Sequence, residues 1–228
     1  RCYSMPLVEK YDPREQHFYL KEDASIDGFE IVSHPKTLRA HIDFRWKDIL
    51  DKLQVEEFDT DLTGLHMHIN KNCMTARDWL KIVNFFANNY FFIFTISRRT
   101  ASNFDRWCKI DTSIRVKQAD LDYINSERNS ALNLKNINTG EIRFFRVTLD
   151  YDDFISSLEF CDALIHFVQL HDFDDIYSNK IGLEAFINFV IKNRETYLCL
   201  ISYLQNEEHC FIETDDNGMY VYNGRAGR

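Results

Sequence analysis

Between Leu65 and Tyr90 the hydrophobic repeat changes from every second residue to every third or fourth. That change constrains the fold more than any other feature of the chain. Leu65, Met67 and Ile69 alternate with His66, His68 and Asn70, the period of a strand with one buried face and one face free for chemistry. Soon after, Trp79, Ile82, Val83, Phe86 and Tyr90 follow helical spacing. With Thr75 as N-cap and Asp78 three residues on, the pattern predicts one long helix ending near Ser97. A half-covered strand followed closely by an amphipathic helix calls for a helical layer laid against a sheet.

The rest of the chain reads the same way. Phe18–Leu20 and Gly28–Ser33 predict a hairpin, with turn signals in Asp23-Ala24-Ser25 and Asp27-Gly28 and a stop at His34-Pro35. Trp46, Ile49, Leu50 and Leu53 form the stripe of a helix over Asp43–Leu53. Asn129–Leu134 and Glu141–Thr148 predict a second hairpin. Helices are expected over Asp153–Leu170, Leu183–Lys192 and Glu195–Leu204, and a last strand around Met219–Tyr222. Because the strands and helices do not alternate as in a parallel array, the fold class is α+β: an antiparallel sheet with helices packed on one face. Seven Gly and 3 Pro against 19 Phe and 11 Tyr leave little room for linkers, so residues 1–228 read as a single domain. Residues 18–150 would form its sheet and residues 151–210 its helical layer. The aromatics Phe160, Phe167, Phe173, Phe186, Phe189 and Tyr197 would pack that layer, and Asn223–Arg228 would be a tail.

A formal charge of -9, with the acids scattered along the chain, argues against a nucleic-acid binder or an anionic-membrane binder. The most apolar run, Phe85–Ile96, is interrupted by Asn88 and Asn89 and falls short of the roughly 20 residues of a membrane span. Cys2, Cys73, Cys108, Cys161, Cys199 and Cys210 form no CxxC pair, the usage of a reduced, cytoplasmic protein. The chain opens on Arg1, as a fragment or a processed chain would.

Three features could carry chemistry. His66 and His68 project side by side from one strand, so both reach one metal ion or one phosphate; the plainer alternative is a solvated strand face. No HExxH or CxxC motif and no third clustered histidine completes a zinc set, which disfavours a zinc hydrolase. Glu141 and Arg143 share a strand face, with Ile142 and Phe144 on the core side. An acid beside a guanidinium suits a divalent cation next to a phosphate, and a cross-strand salt bridge is the competing account. Glu30 interrupts the apolar strand Phe29-Glu30-Ile31-Val32, with Asp23 across the hairpin turn. Arg98, Arg99 and Arg128 add further cations, Arg98 and Arg99 with no acidic residue beside them in sequence. His166, His171 and His209 read as structural or surface histidines.

The order of these features resembles the amidoligase family, a branch of the glutamine synthetase-like ATP-dependent carboxylate-amine ligases. The resemblance rests on Lys21-Glu22-Asp23-Ala24-Ser25 leading to Gly28–Pro35, on Gly64-Leu65-His66-Met67-His68-Ile69, on Ser97-Arg98-Arg99-Thr100, and on Asn133-Leu134 through Thr139–Leu149. It implies a curved antiparallel sheet, the half-barrel of that superfamily, holding ATP and Mg2+ on its concave face. By the same resemblance Asp23, Glu30, His66 and Glu141 would be metal ligands, and Arg143 and His68 catalytic groups at nucleotide or substrate. Arg98, Arg99 and Arg128 would join Arg143 in binding phosphate. The implied reaction makes an amide of isopeptide type: the γ-phosphoryl group of ATP passes to a small-molecule or peptide carboxylate, and an amine displaces phosphate from the acyl phosphate.

Three departures from the family pattern stand out. No G-x-E-x-E strand precedes Lys21, Ala24 replaces the usual glycine of the Asp-Gly-Ser turn, and Gly140 occupies a position usually apolar. The first makes a catalytically inactive binding or regulatory protein on the same fold the main alternative. An unrelated metal-binding or hydrolytic domain using His66 and His68 is the third reading.

Overall fold

The computed structural model describes residues 10–23, 28–55, 63–112, 129–206 and 210–224, with the side chains of residues 23, 28, 54 and 55 outside the description. Two compact units divide the chain: Arg1–Phe58 with Leu149–Tyr151, and Asp59–Thr148 with Asp152–Arg228.

The first unit holds the predicted hairpin, β1 (Phe18–Asp23) and β2 (Gly28–Ser33), paired antiparallel from Phe18 with Ser33 to Asp23 with Gly28. Asp12 anchors its start by accepting the backbone N–H groups of Gln16, His17 and Phe18. Burial alone would raise the Asp12 carboxyl, but those three donors hold it below the ordinary value. Helix α1 (Leu38–Ile42) is capped by Thr37, whose hydroxyl accepts the Ala40 N–H. Helix α2 (Trp46–Val55) buries the expected stripe of Trp46, Ile49, Leu50 and Leu53. It starts three residues later than the sequence pattern predicts, because Asp43 closes α1. Phe18 packs near Trp46, ring centroids 6.0 Å apart.

The second unit is built on a three-stranded antiparallel sheet, β3 (Gly64–Asn70), β4 (Leu132–Asn133) and β5 (Thr139–Arg146), with β5 in the middle. Leu65 pairs with Phe145 and Met67 with Ile142, so the single residue His66 faces two residues of β5, Arg143 and Phe144. This is a β-bulge, which bends its strand and re-aims the side chains around it. Helix α3 (Ala76–Asn88) opens with the expected capping box between Thr75 and Asp78. It crosses the core face of β5, where Phe86 meets Phe144 edge to face at 5.4 Å and Trp79 lies directly over Gly140.

The single helix predicted from Thr75 to Ser97 is two helices, α3 and α4 (Tyr90–Ser97). Asn89 leaves helical geometry between them, and its side-chain amide donates to the Phe85 carbonyl, a local bond that competes with continuation of the helix. Helix α5 (Ala101–Trp107) follows. Helix α6 (Tyr151–Gln169) packs Phe160 against both Phe144 and Phe145 at 5.9 Å. Its C-terminal end is bound by buried Lys81, which donates to the carbonyls of Val168 and His171 while pairing with Asp78. Helices α7 (Leu183–Lys192) and α8 (Leu198–Gln205) and a small sheet, β6 (Ile212–Thr214) with β7 (Tyr220–Tyr222), complete the unit.

Phe186 of α7 is the hub of an aromatic core, with Phe85, Phe92, Phe160 and Phe167 around it at 5.3 to 6.1 Å and steeply inclined. Such edge-to-face pairs add about 1 kcal/mol each to ordinary burial. One buried acid belongs to this layer. Tyr197 makes no side-chain cap on α8, and Glu159 of α6 supplies one instead, accepting the N–H of Leu200 at 2.6 Å.

The architecture is therefore mixed α+β with antiparallel pairing. Among the described residues the strands form three separate sheets, of two, three and two strands, none closed into a barrel. Among the same residues no helix is long and apolar enough to cross a membrane. The turn residues 24–27, Cys2, His209 and the tail from residue 225 lie outside the described residues.

Candidate functional site

The register of β3, β4 and β5 assembles the site. Glu141 lies on the middle strand β5, with His68 directly opposite on β3 and Asn133 directly opposite on β4. The bulge then brings His66 to the same carboxylate. Oε1 of Glu141 faces His66 Nδ1 at 3.1 Å and His68 Nε2 at 3.8 Å. Oε2 accepts a hydrogen bond from Asn133 Nδ2 at 2.9 Å and lies 3.6 Å from Arg143 Nη1. The two motifs read from sequence, His66-x-His68 and Glu141-x-Arg143, thus meet on one face of the sheet although they lie far apart in the chain.

Glu141 is only 5% exposed. Burial pushes its carboxyl upward, but the His66 hydrogen bond, the Arg143 charge and the Asn133 amide outweigh that and hold it at about 2. It is a fixed anion at neutral pH, ringed by groups that donate or carry positive charge. His68 is the more open imidazole, its Nδ1 3.2 Å from the Thr139 hydroxyl. Nε of Arg143 is buried without a hydrogen-bond partner among the described residues, so the guanidinium keeps unused donor capacity. Below the site Cys108 is buried, its Sγ donating to the Arg143 carbonyl. Burial raises that thiol to about 11, which keeps it neutral beside Arg99 and Arg143.

The two arginines after α4 have separate partners. Arg98 takes left-handed backbone, φ 59°, and ends the helix. Its guanidinium donates to the Asp153 carbonyl, Ser156 Oγ and Ser157 Oγ, and stacks over Tyr203 at 4.7 Å. Arg99 is buried and donates Nε and Nη2 to the carbonyls of Phe144 and Phe145, each at 2.9 Å. Glu30 belongs to the first unit, where it is half-exposed and 3.4 Å from Lys21 Nζ. Arg128 and the Asp23 side chain lie outside the described residues.

Among the described residues no three His, Cys, Asp or Glu side chains are gathered to hold a metal ion. The donor chemistry at Glu141 suits a hard cation, but both carboxylate oxygens already face protein donors, so the described residues form no preassembled magnesium cage. Sequence reasoning missed Asn133 and Gly64 as parts of this site. Asn133 could have been found from hairpin register, since it stands across from Glu141. The bulge that recruits His66 leaves no local signal. Comparison with known proteins adds no relative: no family model, no curated protein and no solved structure matches the chain.

Proposed function

We propose that this chain is an ATP- and Mg2+-dependent carboxylate-amine ligase of amidoligase type, with its site on the β3–β5 face. The observation that carries this reading is the convergence of His66, His68 and Arg143 on the buried anion Glu141, in the order that the resemblance to that family requires. In this reading the half-barrel of the superfamily is the frame of the site, and Glu141 with His66 would hold the cation that screens the phosphates. Arg143 presents a planar donor fork to phosphoryl oxygens. His68, open to solvent on one side, faces the substrate carboxylate or amine. The substrates would be a small-molecule or peptide carboxylate and an amine. The free thiols at Cys73, Cys108, Cys161, Cys199 and Cys210 accord with a cytoplasmic setting.

A second reading, a binding or regulatory protein without catalysis, is favoured by two observations. The metal donors among the described residues are not gathered into a cage, and Arg98 is bound to α6. Calorimetric titration with a non-hydrolysable ATP analogue, with and without magnesium, tests both. Magnesium-dependent binding of the analogue abolished by Glu141→Gln, together with ADP release from ATP itself when carboxylate and amine are supplied, supports the ligase. Binding without turnover supports the second reading. Binding that Glu141→Gln leaves intact removes this face from either.

A further inference from the structure

We infer that Arg99 is a positioning residue of this site: a buried clip on the β5 bulge that sets where His66 and Arg143 stand, with Gly64 providing the clearance it needs. The inference rests on the reading of the β3–β5 face as a binding site, and it concerns how that site is held together.

The bulge places Arg143 and Phe144 against the single residue His66. A bulged strand leaves backbone groups outside the regular ladder, and buried carbonyls need donors. Arg99 supplies them in bidentate fashion: Nε to the Phe144 carbonyl and Nη2 to the Phe145 carbonyl, both at 2.9 Å. The residue is 7% exposed, and two donors of its fork are committed to backbone. It therefore acts through its neighbours, not by touching a ligand. Phe144 directly follows Arg143, so the clip fixes the strand at the residue where the guanidinium leaves it.

Gly64 links the same clip to His66. A Cβ at position 64 would stand 2.6 Å from Arg99 Nη2 and 2.9 Å from His66 Nε2. The guanidinium and the imidazole edge fill the space that any other residue would take. The opposite edge of the ring, Nδ1, faces Glu141 at 3.1 Å. His66 thus stands between the backbone of Gly64, which it shares as a neighbour with Arg99, and the carboxylate of Glu141. The atoms that an added methyl group would meet at this position are the ends of flexible side chains, so Gly64→Ala moves them aside while leaving the sheet intact.

Two variants test this. Gly64→Ala displaces Arg99 and His66 by crowding. Arg99→Lys keeps the charge but replaces the planar fork with a single ammonium, which cannot span both carbonyls in the same geometry. Ring-nitrogen NMR at one fixed pH, with the His66 signals identified by their loss in His66→Gln, reports the imidazole directly. The expected result is that both variants shift the His66 signals and leave those of His166 and His171 in place, with circular dichroism unchanged for Gly64→Ala. Affinity for the magnesium complex of the ATP analogue should fall about tenfold or more, as loss of a charge-assisted hydrogen bond would produce. Unmoved His66 signals in folded Arg99→Lys overturn the inference, and so do unmoved signals in folded Gly64→Ala. Absence of nucleotide binding by the wild-type chain refutes the ligase reading instead, and the His66 signals still decide the role of Arg99.

Discussion

Replacing Glu159 with Gln should stabilise the protein at alkaline pH and leave it unchanged in acid. The carboxyl is 2% exposed and caps the start of α8 by accepting the N–H groups of Leu200 and Cys199. Burial raises it most, the two backbone donors lower it, and the nearby Asp162 and Asp152 raise it again, leaving it at about 7 against an ordinary 4.5. Tyr197, whose hydroxyl donates to Asp162, also faces it. A raised carboxyl means that the folded state binds more protons than the unfolded state between these two values. Stability from this residue is therefore fully present below 4.5 and is lost as pH rises through about 7. The span corresponds to about 3 kcal/mol. A glutamine carbonyl keeps the bond to Leu200 without ever carrying charge, so it escapes that cost. Urea or thermal unfolding followed by circular dichroism, from about pH 5 to about pH 8.5 so as to bracket the shifted value, should show the variant drawing ahead of wild type as pH rises. The final gap should be on the order of 3 kcal/mol, about 6–12 °C in melting temperature for a chain of this size. Parallel profiles across that range would refute the argument. Glu159→Ala is the complementary variant: it uncovers two helix N–H groups and should lie about 1–3 kcal/mol below Glu159→Gln at every pH.

Two further outcomes follow from the packing. Gly140→Ala would drive a methyl group into the Trp79 ring and against Leu134, and should cost about 1–3 kcal/mol with a change in tryptophan fluorescence; an unperturbed melting curve would show that Trp79 yields freely. Arg98→Lys exchanges a fork bonded to Asp153, Ser156 and Ser157 for a point charge. It should lower unfolding stability by about 1–3 kcal/mol, and differential scanning calorimetry showing no shift would deny Arg98 its place at the start of α6.

How far the sequence reveals this protein depends on whether the information is periodic or relational. The alternation around Met67 and the helical stripe through Trp79 and Phe86 are periodic, and both elements stand where the pattern puts them. Leu183–Lys192 matches its expected limits. The break at Asn89 was hidden because apolar spacing continues across it, while the deciding event is a side-chain bond to Phe85. Strand β6 has three residues, too few to display a period. In the site, the shared face of His66 and His68 and that of Glu141 and Arg143 could be read locally. Their meeting could not, since it depends on a register with a slip in it. Neighbouring Arg98 and Arg99 look equivalent in sequence, but left-handed backbone at Arg98 sends their guanidinium groups to different partners.

That divergence has a mechanical consequence. Two successive residues grip two different layers, Arg98 the first turns of α6 and Arg99 the main chain of β5. One peptide unit therefore works as a tie-rod between helix and sheet. If an occupant of the Glu141 face tugs β5, the load passes through this tie-rod to Asp153 and Ser156, so sheet and helix must shift together or one grip must let go.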